Sequence, residues 1–151
     1  MDKLEILKRS ELFRELNDEQ LIVVEKMCTA RVFETGTVIC KQSRIEEEAY
    51  VIEEGLIAII LEVGPMAQRQ VQAASNFEAF GWSAMIEPYT STATAKAIET
   101  TRVLAFNGRE MCGLCLTHPD IGCRICQAVA RVVATRLRQA YIQLLGVTSQ
   151  D

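Results

Sequence analysis

A change in hydrophobic period at residue 30 constrains the fold of this chain more than any other feature. From there to residue 106, β-branched and aromatic side chains occur in short runs with a period of two, separated by turns such as Thr35-Gly36. The runs are Arg31–Glu34, Thr37–Cys40, Ala49–Ile52, Gly55–Leu61, Arg69–Ala74 and Thr101–Phe106. Short strands at this regular spacing predict an antiparallel sandwich or jelly roll. We therefore expect a mainly β fold, an antiparallel β-roll of the jelly-roll or double-stranded β-helix type.

Helices are predicted on both sides of this β region. Residues 1–29 form the N-terminal cap, in which Asn17 precedes a helix that runs to about Cys28 and carries acidic residues in its first turn. Residues 107–146 form the C-terminal helices. Asparagine is a favoured helix N-cap, so a short helix is expected to begin directly after residue 107. Proline suits the first turn of a helix, so a longer helix is expected to begin at Pro119.

Length and composition favour one domain over residues 1–151. The chain has 151 residues, of which 49% are apolar and 24% charged, which is enough for one core and too little for a second domain of ordinary size. The net charge of −4 offers no basic surface for nucleic acid or an anionic membrane. The N-terminus has no secretory signal, and no apolar run approaches a membrane span. Six cysteines without an export signal indicate thiols in a reducing cytoplasm.

The segment 80–97, FGWSAMIEPYTSTATAKA, has the pattern of a small binding site. Gly81 forms a turn that leads into a short apolar helix, the helix breaks at Pro88, and an alternating strand of small side chains follows. A glycine turn before a short helix leaves backbone N–H groups pointing into a concavity, where an anion can bind. The segment is therefore a candidate binding site, and the alternative interpretation is that its small side chains are core packing in a domain that binds no ligand there.

Several motifs together resemble those of cyclic nucleotide-binding domains, the sensor half of the catabolite-activator and fumarate-nitrate-reduction regulators. The family's F-x-x-G-x-x-I pattern is present as Phe33, Gly36 and Ile39, and its Y-x-I-x-x-G pattern as Tyr50, Ile52 and Gly55. The F-G pattern is present as Phe80 and Gly81, and the T-A pattern as Thr92 and Ala93. The resemblance covers nearly the whole chain and implies a regulatory role. It also implies a stand-alone sensor, since nothing after Asp151 remains to form the winged-helix DNA reader of such regulators.

Two departures from the family pattern fall inside segment 80–97, the phosphate-binding cassette that the resemblance implies. Trp82 occupies the position of the ribose-binding glutamate, and Ser91 occupies that of the phosphate-binding arginine. The resemblance therefore predicts a degenerate cassette that does not bind cyclic AMP or cyclic GMP in the usual way. The candidate ligand-binding residues are Phe80, Gly81, Trp82, Ser83, Ala84, Ser91, Thr92 and Ala93.

Two more departures lie outside the cassette. Ser43 stands where the family has a turn glycine, and the acidic run Glu46–Glu48 replaces a glycine-containing loop. Both predict a reshaped loop near the mouth of the pocket.

The long C-terminal helix has more apolar surface than one contact needs. One stripe contains Ile125, Val129 and Val132, and a second contains Val133, Leu137 and Tyr141. In the family that the chain resembles, this helix pairs with its mate about a two-fold axis. We therefore expect a homodimer with Ile125, Val129 and Val132 at the interface.

Four cysteines around Pro119 allow two interpretations. Cys112, Cys115, Cys123 and Cys126 form C-x2-C-x7-C-x2-C, which could bind a metal ion or act as a redox sensor if the two helices fold back on each other. Free cysteine also behaves as a small buried hydrophobe, so four core thiols explain the same pattern, and the seven-residue gap is shorter than in zinc ribbons. We favour core thiols and keep the metal or redox sensor as the alternative function.

The sequence provides no support for catalysis. It has no nucleophile and base pair, no paired carboxylates at a glycine turn and no nucleotide-triphosphate loop, and its single histidine, His118, argues against a metal-dependent jelly-roll enzyme. The prediction is a non-enzyme without a cofactor that binds an unidentified small molecule or a protein partner.

Overall fold

The structure is a computed structural model that describes residues 1–146. The predicted single domain over residues 1–151 includes residues 147–151, which lie outside the described part. Within residues 1–146 the chain forms eight strands: β1 Thr29–Phe33, β2 Val38–Cys40, β3 Glu48–Glu54, β4 Ile57–Gly64, β5 Ala67–Ala74, β6 Ala79–Phe80, β7 Thr94–Ala97 and β8 Thr101–Asn107. The helices are α1 Lys3–Arg9, α2 Asp18–Glu25, a 3₁₀ helix Trp82–Met85, α3 Gly108–Thr117 and α4 Pro119–Leu144.

The strands form two antiparallel four-stranded sheets. Their orders are β1-β8-β3-β6 and β2-β7-β4-β5. Neighbours that are distant in sequence, such as β1 and β8, show that the chain crosses from one sheet to the other as it winds into a roll. The predicted antiparallel β-roll with N-terminal helices and a long C-terminal helix is confirmed.

Two apolar cores stabilise the roll. The inner core lies between the sheets around Tyr50, Ile52 and Phe80, where the Tyr50 and Phe80 rings stack with their centroids 4.8 Å apart. The outer core lies between one sheet and the helices, around residues such as Phe13 and Phe106, whose rings meet edge to face. The second half of α4 also reaches the other sheet, where the side chain of Gln72 on β5 donates to the carbonyl of Arg136.

The N-terminal helices begin where helix-capping rules place them. The Asn17 side chain accepts a hydrogen bond from the backbone N–H of Gln20, whose own side chain accepts one from the N–H of Asn17, so both ends of a capping box are present. The helix ends earlier than expected, at Glu25. The N–H groups of Met27 and Cys28 bond to carbonyls three residues before them, which tightens the chain into a turn there.

Helices α3 and α4 meet at a close backbone contact. A Cβ atom on Gly122 would lie 2.5 Å from Cα of Cys115, so only glycine fits the position. Pro119 takes the first turn of α4, where its missing N–H costs nothing, and His118 forms the short connection. The two helices therefore form a hairpin that is fixed by backbone contact. Among residues 1–146, no helix is both long enough and apolar enough to cross a membrane.

The predicted dimer stripe is buried inside the chain. Ile125, Val129 and Val132 are only 2%, 8% and 4% exposed, and all three belong to the outer core. They cover the roll of their own chain and are not available to a second copy. The assignment of these three residues to an interface is therefore wrong. On the other stripe of α4, Leu137 and Tyr141 are exposed, whereas Val133 is partly buried against the outer core.

Ser43, which replaces the family's turn glycine, keeps the backbone conformation that glycine favours. Ser43 has φ of 72°, in the left-handed region that glycine favours. Its N–H donates to the carbonyl of Ser91, and the N–H of Ser91 donates in turn to the carbonyl of Arg44. These bonds hold the strained turn against the end of the cassette.

Candidate ligand-binding site

One cavity collects most of the predicted site residues. Phe80, Gly81, Trp82, Ser83, Ser91, Thr92 and Ala93 all line it. Ala84 does not line the cavity, because it is fully buried and packs in the outer core. Its carbonyl oxygen lies so close to Gly108 that a Cβ atom on Gly108 would be only 2.3 Å from it. The segment 80–97 therefore forms a cassette around a shared space, with Gly81 at φ of 73° leading into the 3₁₀ helix.

The cavity is narrow. The empty space among its lining residues is about 410 Å³, part of it continuous with solvent, but the centre of a water-sized molecule can occupy only about 40 Å³ of it. A space of this size has room for a few water molecules. Any larger ligand has to displace side chains or open the cassette.

Ser91 is engaged in local hydrogen bonds at its backbone and side chain. Its hydroxyl donates to the carbonyl of Ala93 over 2.6 Å, and the residue is only 7% exposed. The next buried hydroxyl, on Thr94, accepts from the N–H of Gln42. These bonds satisfy the polar groups at the family's arginine position without a ligand.

Trp82 lies between the cavity and the helices. Its half-buried side chain packs against the outer core, and Phe80, whose ring stacks on that of Tyr50, lines the same cavity. The cysteine on the lining, Cys40, is buried, and burial raises the pKa of its thiol to about 12. The thiol keeps its proton at neutral pH and contributes packing only.

A charged residue that sequence reasoning missed also lines the cavity. Arg136, from α4, is the one charged side chain on the described lining, and it is only 11% exposed. Its guanidinium donates to the carbonyl of Ala79 over 3.2 Å and lies 3.5 Å from a carboxylate oxygen of Glu11 and 3.6 Å from one of Glu78. The sequence contained a signal, since Arg136 follows Val132 by four residues and so continues the stripe of α4 that faces the roll.

Two carboxylates compete for this cation. Burial raises the pKa of Glu11, while a hydrogen bond from the N–H of Ala79 and the charge of Arg136 act in the opposite direction. Two acidic side chains, Glu11 and Glu78, face this one guanidinium. Arg136 is therefore already neutralised and is not a free countercharge for a phosphate.

Replacing Arg136 with methionine should test this arrangement. Two partly buried carboxylates and the carbonyl of Ala79 would lose their partner, and we expect the free energy of unfolding to fall by about 1–2 kcal/mol. Urea unfolding would measure the change. The matched control is Arg138→Met, two residues along on the exposed side of α4, which should change stability by less than about 0.5 kcal/mol. Equal effects of the two variants would contradict a structural role for the Arg136 cluster.

The four clustered cysteines are not the core thiols that we favoured. Cys115, Cys123 and Cys126 are exposed, and Cys112 is half-buried with its Sγ bonded to the carbonyl of Met85. Cys115 and Cys126 face each other with their sulfurs 3.6 Å apart. Across residues 1–146, no group of three or more histidine, cysteine or acidic side chains is arranged to hold a metal ion.

Comparison with known proteins identifies the fold and the family. The family model for the cyclic nucleotide-binding domain matches residues 30–118, from the first strand to the end of α3. The chain belongs to the cyclic nucleotide-binding domain family. This confirms the resemblance to cyclic nucleotide-binding domains seen in the sequence.

Solved structures with this fold cover almost the whole chain. A protein of Geobacter metallireducens named for cyclic nucleotide binding is 27% identical, covers 91% of this chain and 99% of its own, and superposes with a TM-score of 0.78. A cyclic nucleotide-binding domain of Methylobacillus flagellatus is 16% identical, with coverage of 96% and 82% and a TM-score of 0.83. The catabolite activator protein of Thermus thermophilus is 23% identical, with coverage of 89% and 62% and a TM-score of 0.75.

A curated relative places a similar sequence in a larger protein. It is a protein of Rhodopseudomonas palustris named as a potassium channel, and it is 27% identical over 124 residues, which are 82% of this chain and 30% of the relative. The chain therefore spans less than a third of the length of that relative. The similarity concerns the cyclic nucleotide-binding domain.

Proposed function

We propose that this member of the cyclic nucleotide-binding domain family is a regulatory domain that does not bind cyclic AMP or cyclic GMP in the family's usual pose. The observation that carries the proposal is Ser91, which stands at the arginine position and has its hydroxyl bonded to the carbonyl of Ala93. A cyclic nucleotide has one negative charge, and a buried phosphate without a charged partner loses a charge-assisted hydrogen bond. The loss is about 2–5 kcal/mol, or roughly 30-fold to several thousand-fold in affinity.

The surroundings of the cavity support the same proposal. Arg136 is the nearest candidate for a replacement countercharge, but Glu11 and Glu78 neutralise it. Trp82 adds an indole ring to the lining where the family has a carboxylate that accepts from ribose. With a small cavity and no unpaired cation on its described lining, the site favours a small neutral molecule or no ligand.

Calorimetry with cyclic AMP and cyclic GMP tests the proposal. The wild-type protein should show no binding at micromolar ligand, and Trp82→Glu with Ser91→Arg should restore it, because the pair supplies the ribose acceptor and the countercharge. The control, Trp82→Glu with Ser91→Gln, adds a polar hydrogen-bonding side chain without the charge and should show no binding. Micromolar binding by the wild-type protein would overturn the proposal, and silence of the arginine variant would refute the stated cause.

The output of the domain is proposed to be a protein contact through α4. Leu137, Tyr141 and Leu144 are 49%, 56% and 83% exposed and recur at four- and three-residue steps, so they form one apolar stripe on the outer side of the helix. A stripe of this kind is suited to pair with its own copy about a two-fold axis. We infer that the protein forms a homodimer through this outer stripe. We also propose that it works in the cytoplasm, which its free thiols favour, and that it has no catalytic activity and contacts neither nucleic acid nor a membrane.

A further inference from the structure

The hairpin of α3 and α4 brings two cysteines into direct contact. The sulfurs of Cys115 and Cys126 are 3.6 Å apart, although the residues belong to different helices. Gly122 makes this possible, because a Cβ at its position would lie 2.8 Å from the Cys115 sulfur and 2.5 Å from its Cα. The contact is therefore built into the helix crossing.

We propose that Cys115 and Cys126 form a reversible disulfide that joins α3 to α4 when the protein is exposed to a hydroperoxide. A disulfide requires the two sulfurs to approach to about 2.05 Å, and two exposed side chains in contact across a helix crossing can close this gap by rotating. Both residues are exposed, so the oxidant reaches them without unfolding. The proposal is independent of which ligand the cavity takes.

The other two cysteines of the cluster are less suited to the reaction. Cys112 is half-buried and its thiol bonds to the carbonyl of Met85. Burial, followed by the charge of Cys115, raises its pKa, so it holds its proton more tightly. Cys123 lies three residues before Cys126 on the same helix, and Cβ atoms at that spacing are about 5–6 Å apart, which is too wide for an unstrained disulfide. The structure therefore selects one pair among the four thiols.

The reaction proceeds in two balanced steps. The Cys115 thiolate attacks one peroxide oxygen, the O–O bond breaks, and the departing hydroxide takes a proton to become water, which leaves Cys115 as a sulfenic acid. The Cys126 sulfur then attacks the Cys115 sulfur, the S–O bond breaks, and a second water leaves with the proton of Cys126. Two thiols and one hydroperoxide give one disulfide and two molecules of water, or one water and one alcohol for an organic hydroperoxide.

The order of attack follows from the environment of Cys126. Burial, then a hydrogen bond and the charge of Cys115, raise the pKa of Cys126 to about 11. Cys126 therefore keeps its proton at neutral pH. Cys115 is left as the first nucleophile and Cys126 as the resolving thiol.

The two helices joined by this bond contact opposite ends of the cassette's helical turn. Helix α3 touches it through Cys112 and the carbonyl of Met85, and α4 reaches the strand before it through Arg136 and the carbonyl of Ala79. A covalent link at the crossing limits how far α4 can move relative to α3 and to the cassette. Oxidation should therefore slow amide exchange in α3 and in the first half of α4.

Thiol counting and peptide mapping provide the test. The reduced chain has six free thiols, and treatment with hydrogen peroxide should leave four, with recovery of six after dithiothreitol. Trypsin cleaves after Arg109, Arg124 and Arg131, so Cys115 and Cys126 fall into different peptides, 110–124 and 125–131. The oxidised, alkylated sample should contain these two peptides joined, and fragmentation should place the link on Cys115.

Cysteine-to-serine variants separate this pair from its neighbours. Cys115→Ser and Cys126→Ser should each abolish the joined peptides within a single chain, whereas Cys123→Ser, on the same exposed turn, should leave the yield unchanged within about twofold. Three outcomes would overturn the proposal. They are loss of the link in Cys123→Ser, a link that forms only between two chains, and six thiols that remain after exposure to enough peroxide to oxidise free dithiothreitol.

Discussion

Replacing Ile125 with glutamate should destabilise the protein more than any other single change considered for α4. Ile125 is 2% exposed and packs in the outer core between the helices and the roll, so a carboxylate there would be buried without a partner. An uncompensated buried charge costs about 3–5 kcal/mol, a large part of the 5–15 kcal/mol that stabilises an ordinary domain. The melting temperature should fall by roughly 10 °C or more, as measured by circular dichroism.

The same substitution on the outer stripe should have a different result. Leu137 is 49% exposed on the other side of α4, so Leu137→Glu should change the free energy of unfolding of the chain by less than about 0.5 kcal/mol. If two chains pair through the outer stripe, it should instead convert dimers to monomers in sedimentation equilibrium. A wild-type-like melting curve for Ile125→Glu would contradict the burial of the inner stripe. An unchanged dimer in Leu137→Glu would place the contact between chains elsewhere.

The contrast between these stripes shows where periodicity alone is insufficient. Apolar residues at three- and four-residue steps indicate which residues share a helix face, but not which face the chain's own sheet covers. Ile125, Val129 and Val132 therefore looked like an interface and are in fact core. Arg136 continues the same buried face, and its charge becomes acceptable only because Glu11 and Glu78, far away in sequence, meet it. Pairing of this kind depends on tertiary structure.

Local rules were sufficient for most of the fold. The asparagine caps at Asn17 and Asn107 both accept the hydrogen bonds expected of an N-cap, because capping depends only on residues three positions apart. The strand runs also fell where alternation placed them. In the cassette, regular pairing starts only at Thr94, later than the alternation at Thr90 suggested, because Ser91 bonds instead to the loop at Ser43 and Arg44.

The cysteines show the same limit in another form. The C-x2-C-x7-C-x2-C pattern did not predict which thiols meet, and the contact that formed is between Cys115 and Cys126, on different helices. It depends on Gly122, which the sequence presents as an ordinary helix glycine beside a turn. The sequence does not distinguish a glycine that lets two helices approach closely from one that only makes the backbone flexible, because the difference depends on which residue packs against it.

Adding a methyl group to Gly122 should separate these two roles. Gly122→Ala would place Cβ 2.5 Å from Cα and 2.6 Å from N of Cys115, and backbone atoms cannot move aside as a flexible side chain can. The helices have to shift apart, and overpacking of this kind costs about 1–3 kcal/mol. Urea unfolding should show this loss even though alanine is the better helix former. The oxidised Cys115–Cys126 link should also form in lower yield, because the crossing would be wider.

A second glycine provides the matched comparison. Gly113 lies inside α3, and a Cβ there would have nothing within 4 Å, so Gly113→Ala should stabilise the protein by about 0.5–1 kcal/mol through helix propensity alone. The two variants add the same atom to the same hairpin, and their free energies of unfolding should differ by about 1.5–4 kcal/mol in total. If both were stabilising, the close approach of α3 and α4 at Gly122 would be refuted, and with it the contact that brings the two thiols together.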